Sequence, residues 1–354
     1  MKDAKYIIAY IAPIATFLGL YFRSWASPGA IYIAFLVIPL IEFFATGSTD
    51  NLSEDEEESK LASNFFDILL YLNVPILYGL IFYYFHILNT FDLTVLELIG
   101  CTANVGLLVG SIGINVAHEL GHRSNKVEKF LSKLLLLSAL YMHFFIEHNR
   151  GHHKHVATPE DPSSARFNEN LYFFWIRSSL SGWLNAWKLE NKRLQKNNQK
   201  ILSVHNEMLI FQIVQILYLI LIGLIFSWST VIFAIFIATI GFLILETVNY
   251  IEHYGLQRKK LSSGKYETVQ PWHSWNSNHD MGRIYLYELT RHSDHHFKAN
   301  RKYQILRHFN ESPQLPYGYP GSMILSMIPP LWFKIMNPRV KSLVSAAATE
   351  KVMT

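Results

Sequence analysis

Residues 134–146 read LLLLSALYMHFFI, and whether this stretch crosses a membrane decides how the rest of the chain is arranged. It is 13 residues long, begins just after Lys133 and contains His143, whereas a helix needs about 20 apolar residues to span a hydrocarbon core of about 30 Å. That length suits a buried or re-entrant helix. The flanking sequence gives the same answer on geometric grounds. Upstream lie His118 and His122, downstream EHNRGHHKH with His148, His152 and His153. A crossing between them would put the two groups on opposite sides of the bilayer, where one metal site could not gather both.

Working outward, apolar runs without Lys or Arg occupy residues 6–22, 30–46, 66–88, 96–117, 208–226 and 231–250, each near the length of a span. The chain is 50% hydrophobic, 14% aromatic and only 16% charged over 354 residues, the balance of a membrane protein. Lys2 and Lys5 before the first run suggest a secretory signal, but no small-residue cleavage site follows, so that run is expected to be the first membrane helix. The expected fold is an all-α integral membrane protein, one domain over 1–354, with six transmembrane helices. Its histidine-bearing segments, 118–207 and 251–340, emerge on one face. Of 31 Lys and Arg, only Arg23 falls in the outer connections and 30 lie on the histidine side. The positive-inside rule therefore makes that side, and both termini, cytoplasmic in an inner membrane.

The acidic loop 48–60, STDNLSEDEEESK, reads as a solvated linker, since acids barely affect orientation. Between 167 and 200, Trp175, Trp183 and Trp187 alternate with Arg177, Lys188, Lys192 and Arg193. That is an interfacial amphipathic helix, or a surface for an acidic partner. No nucleic-acid partner is expected. A single cysteine, Cys101, excludes disulfides, CxxC zinc sites, thiolate-bound iron and a fused rubredoxin-like domain, so electrons must come from outside.

Nine of the 16 histidines sit in positions that can converge: His118 and His122; His148, His152 and His153; His253; and His292, His295 and His296. On a helix His148 and His152 share a face, while His153 points away toward a second metal. Nine imidazoles exceed the needs of one ion, and two metals taking four and five fit the count. A carboxylate-bridged di-iron site would use paired Glu-x-x-His motifs, of which only Glu119 and His122 show the spacing. Glu119, Glu147, Asp161, Glu252 and Asp294 then serve as acceptors that orient the rings, or as plain salt-bridge and capping residues. The segment His118 to His122 is also HExxH, the pattern of zinc hydrolases, but an intramembrane protease leaves seven histidines unexplained. A metal transporter would place its ligands near the bilayer midplane rather than at helix ends. His143, His273 and His279 are left as ordinary or outer histidines. Ala34, Gly106 and Gly110 let helices pack closely or line a substrate tunnel.

These motifs together resemble the membrane-bound alkane hydroxylases (alkane 1-monooxygenases), relatives of the membrane fatty-acyl desaturases. The resemblance runs from Ala30 to Val340. It rests on HELGHR from His118, FFIEHNRGHHKHVATPEDPSSAR from Phe144, NYIEHYGL from Asn249, HSWNSNH from His273, LTRHSDHH from Leu289 and PQLPYGYPGSMILSMIPPLWFKIMNPRV from Pro313. It implies a cytoplasmic di-iron centre bound by His118, His122, His148, His152, His153, His253, His292, His295 and His296. It implies O2 as co-substrate, electrons from rubredoxin and its reductase, and terminal hydroxylation of linear alkanes drawn from membrane lipid. His155, residues 297–300 and Tyr317 depart from the family's pattern, and the chain stops sooner after Val340 than some relatives, with no appended electron-transfer domain. Lipid desaturases or hydroxylases and methyl-aromatic monooxygenases share such a centre. Desaturases typically carry a two-residue gap in the second box, so the three residues between His148 and His152 favour hydroxylation.

Overall fold

Helix starts are written into the sequence as caps. Ser53 and Thr94 each form a capping box, with Glu56 and Glu97. The side chains of Asn125, Asn170, Asn206 and Ser227 each accept an amide N–H of the first turn, satisfying donors that a helix start leaves open. In the computed structural model, which describes residues 2–45 and 47–349, the chain is all-helical. A 3-10 segment leads into α1 (Ile11–Phe22). Then come α2 (Gly29–Phe44), α3 (Glu54–Ala62), α4 (Phe65–Thr90), α5 (Val95–Gly121) and α6 (Lys126–Ser138). The second half holds α7 (residues 144–155), α8 (Leu171–Lys196), α9 (Glu207–Ile225), α10 (Trp228–His253), α11 (Asp280–Tyr285), α12 (His292–Phe297), α13 (Tyr319–Ser326) and α14 (Pro329–Thr349).

Among the described residues, five helices are long and apolar enough to cross a membrane: Asp3–Phe22, α4, α5, α9 and α10. The chain is a multi-pass membrane protein. The run expected at 30–46 forms α2, which is apolar but shorter, and Thr46 lies outside the described residues, as do the two chain ends. Leu36, Leu40, Phe43, Leu96, Leu217 and Leu224 are largely exposed, as expected where lipid, not water, is the solvent. Residues 134–146 do not form one helix. α6 ends at Ser138, Leu140 takes a left-handed backbone (φ 50°), and helix resumes only at Phe144. The helix leading into the bend is held from inside, with Tyr78 Oη donating to the Leu134 carbonyl and Ser132 Oγ to that of Ala117, both at 2.6 Å.

The pairing of α5 with α10 sets the centre of the bundle. A side chain on Gly106 would meet Ile240 at 2.6 Å, and Gly110 lies against the Gly241 backbone, so both glycines let the two helices pack closely. α5 and α10 consequently end side by side, with His118 and His122 at the end of one and His253 at the end of the other.

Candidate metal centre

The second histidine cluster owes its geometry to a widened turn. Residues His148–His152 form a π-turn, and the His153 amide donates to the His148 carbonyl five residues back. An i to i+5 bond stacks residue i+5 over residue i. His153 therefore lies with His148, and His152 is turned to the other side. This corrects the α-helical expectation that His148 pairs with His152.

The nine histidines gather in two groups. His118, His122, His148, His153 and His295 form one, and His152, His253, His292 and His296 the other; the facing nitrogens in each lie within 4.8 Å of one another. His148 Nε2 is 3.1 Å from His122 Nε2 and 3.0 Å from His153 Nε2, which is 3.2 Å from His295 Nε2. In the second group His152 Nε2 faces His296 Nε2, and His292 Nε2 faces His253 Nε2, each at 3.2 Å. Two imidazoles bound at about 2.1 Å to adjacent positions of one ion stand about 3.0 Å apart, so this spacing fits shared coordination. The protonation states fit too. Burial, then the neighbouring His152, takes His122 down to about 3. Burial likewise holds His148, His153, His292, His295 and His296 well below the usual histidine range. Burial thus favours the neutral form of these six rings, the form a metal ligand needs. His118 Nε2 is buried without a hydrogen-bond partner, the lone pair a metal would use.

Of the five acids expected to orient the rings, two touch them. Asp161 Oδ2 lies 2.9 Å from His152 Nδ1 and also accepts from Ser164 Oγ. It overcomes the burial that opposes charge on His152 and raises that ring. Glu252 Oε2 lies 3.2 Å from His292 Nε2, on the nitrogen face rather than behind it, while Tyr319 Oη donates to Oε1 at 2.8 Å. The other three depart from the expectation because stronger partners claim them. Glu119 pairs with Arg123 at 2.7 Å and accepts the Tyr303 amide. Asp294 accepts from Arg301 and from the Arg307 amide, both at 2.8 Å. Glu147 accepts from Asn185 at 3.3 Å. His273 pairs with Glu267, His279 with Ser277 and His155 with Glu160; His143 stacks edge-on against Tyr141.

A narrow cavity of about 60 Å³ opens onto both groups, touching His118 and His148 of one and His292 of the other. Leu107, Ile244, Val248 and Met323 make it largely apolar, and Ala34 and Gly110 line it as well. Reading the runs only for missing Lys and Arg overlooked the acids inside them. Glu246 is buried and accepts from Tyr141 Oη at 2.8 Å and Ser178 Oγ at 2.5 Å. Glu42 is buried in α2. A lone carboxylate within an apolar span is itself the signal that finds them.

Known proteins share this arrangement of sequence. Alkane 1-monooxygenase 2 of Alcanivorax borkumensis is 39% identical over 95% of this chain and 89% of its own length. Alkane 1-monooxygenase of Ectopseudomonas oleovorans is 36% identical over 96% and 86%. The chain belongs to the alkane 1-monooxygenase family. A family model described as fatty acid desaturase matches residues 94–323, placing these monooxygenases in the desaturase and hydroxylase superfamily. The xylene/toluene monooxygenase hydroxylase component of Pseudomonas putida is 29% identical over 94% of the chain and 88% of its length. As an alkane 1-monooxygenase family member the chain is an oxidoreductase, and its histidine groups form a non-haem metal centre.

Proposed function

We propose that the protein hydroxylates the terminal carbon of linear alkanes, giving primary alcohols, with O2 and one iron in each histidine group. The observation that carries this reading is the apolar cavity that ends on histidines of both groups at once, in a chain of this family. All nine histidines are the proposed ligands. When bound, the metals supply the oxygen activation that ordinary side chains cannot perform on an unactivated methyl group. The chain supplies the rest. Leu107, Ile244 and Val248 hold an extended alkyl chain and exclude water, and the ends of α5 and α10 aim its terminus at His118 and His292. Tyr319 keeps its proton on Glu252 Oε1, which leaves Oε2 as the acceptor beside His292.

In this reading α2 is the sixth span, shorter than the rest and accommodated by local thinning of the bilayer, and the histidine side is cytoplasmic. The lone cation of the outer connections supports that orientation. Electrons come from reduced rubredoxin, served by rubredoxin reductase, because one cysteine cannot build a thiolate cluster in the chain itself. Lys154 and Lys298 are exposed beside His153 and His296, cations suited to an acidic donor. Coupling to rubredoxin should then weaken as salt rises. The deciding assay is gas chromatography of products from purified, iron-loaded protein given rubredoxin, its reductase and octane. 1-Octanol is expected. Turnover of xylene with none of octane or hexadecane would move the reading to a methyl-aromatic monooxygenase.

A further inference from the structure

A second cavity, of about 260 Å³, lies between α2 and α13, walled by Pro39, Phe43, Gly321 and Ile324 with His279 and Tyr317 at its polar end. Glu42 lines it too, only 6% exposed. Glu42 Oε1 accepts the Gly282 amide at 2.9 Å, but Oε2 is buried with no hydrogen-bond partner. That oxygen packs against Gly318, itself part of the cavity lining, where an added Cβ would come within 1.9 Å of it. An acceptor buried in this way is costly to leave unused. The mouth of the cavity is apolar: Phe43 is 75% and Ile324 40% exposed, facing what is lipid in a membrane protein. The same two helices wall the metal-centre cavity, through Ala34 and Phe35 of α2 and Pro320 and Met323 of α13.

We propose that this cavity is a binding site for a long-chain primary alcohol, whose hydroxyl donates to Glu42 Oε2 while its alkyl chain lies along Phe43 and Ile324. The inference rests on the hydroxylation reading for where the alcohol comes from, though not for whether it binds. The class of ligand follows from the lining. A calcium or magnesium ion needs six or more oxygens and an ammonium group brings three donors, whereas the cavity offers one carboxyl oxygen, with His279 and Tyr317, among otherwise apolar walls. A hydroxyl brings one donor to that oxygen. Its own oxygen can accept from His279, whose Nδ1 is already engaged with Ser277 at 2.9 Å. An alkane has no donor at all, so the site separates product from substrate by a single hydrogen bond, the kind of contact that discriminates most sharply. It would draw alcohol away from the metal centre and leave alkane behind.

The test is photolabelling of the full-length protein in lipid nanodiscs with 1-dodecanol carrying a diazirine close to its hydroxyl, and with the matching diazirine dodecane. Labelled peptides are mapped by mass spectrometry. The alcohol probe should mark residues 36–45 and 314–327, and unlabelled 1-dodecanol should displace it while dodecane does not. Glu42→Ala should raise the half-saturating probe concentration about tenfold, the loss of one hydrogen bond. Gly321→Phe, which fills the cavity without touching the Glu42–Gly282 bond, should abolish the label. Bound metal and thermal unfolding confirm that each variant is folded, and if Glu42→Ala is not, Gly321→Phe decides. Equal displacement by dodecane would make the cavity a mere apolar groove and overturn the proposal. Displacement by phosphatidylglycerol in preference to 1-dodecanol would assign it to a lipid headgroup instead, and labelling that persists in Gly321→Phe would also overturn it. Because the label needs no turnover, a chain that binds the alcohol yet makes none from octane fails only in its assigned reaction.

Discussion

The two histidine groups are built alike but embedded differently. In the five-histidine group His122 and His153 are only partly buried, whereas all four rings of the other are fully inside. The closed group has two carboxylates on its rings, Asp161 behind His152 and Glu252 beside His292. Of the acids next in sequence to the open group's rings, Glu119 is taken by Arg123, Asp294 by Arg301 and Glu147 by Asn185. An ion in the closed group would thus have its charge partly met by the protein, and one in the open group would sit among neutral imidazoles with solvent close by. On the proposed reading the open group would be the entry for electrons and the closed group the more firmly held.

The sharpest way to break this comparison is to remove one ring from each. His148→Ala and His296→Ala should both abolish alkane hydroxylation, with bound iron falling from about two to about one per chain while the protein stays in the membrane. Full iron and full turnover in either variant would remove that ring from the ligand set. Next in size is Glu119→Gln, which leaves the buried Arg123 with Asp67, at 3.4 Å, as its remaining opposite charge. It should cost about 3 kcal/mol of stability while leaving iron content and turnover per folded protein unchanged. A zinc protease would show the reverse, losing all activity with one zinc still bound. Asp161→Asn removes the negative charge behind His152 and should weaken metal binding about 10–100-fold at the closed group alone. Chelator competition would then show one weakened ion of two, and equal weakening of both would erase the distinction between the groups.

The distribution of histidines was legible in the sequence because HELGH and His253 follow directly on apolar runs, with HNRGHH and HSDHH in the segments downstream of them, and topology then requires them to share one side. The shortness of residues 134–146 was legible, but the break in it was not: the stretch reads as one buried or re-entrant helix, and the left-handed Leu140 splits it in two. The partition of the rings was not. It depends on one amide, that of His153, bonding five residues back, and spacing alone does not distinguish a π-turn from an α-turn. Nor did spacing tell Asp161 and Glu252 from Glu119 and Asp294, since Arg123 and Arg301 lie only a few residues along the chain and compete for the latter pair. α2 fell short of its expected length at the far end, where Phe44 gives way to the extended backbone of Ala45.

The smallest predicted effect separates the groups by acid. In the open group, burial takes His122 from the usual histidine value down to about 3. In the closed group, Asp161 raises His152. A ring whose folded value is lowered binds fewer protons folded than unfolded at mildly acidic pH. Its contribution to stability is whole above the unfolded value of about 6.5 and is lost as pH falls below it. A raised ring does the opposite: its contribution is whole below that value and is lost as pH rises through the folded one. Metal-stripped protein should therefore lose about 1 kcal/mol between pH 6 and pH 5 on account of His122 alone, measured by denaturant unfolding in detergent. His122→Gln should remove that slope, and Asp161→Asn should steepen it by depriving His152 of the partner that favours its charged form. If His122→Gln left the acid slope unchanged, His122 would be titrating as an ordinary solvent-exposed ring, and the open group would be far more open than its packing implies.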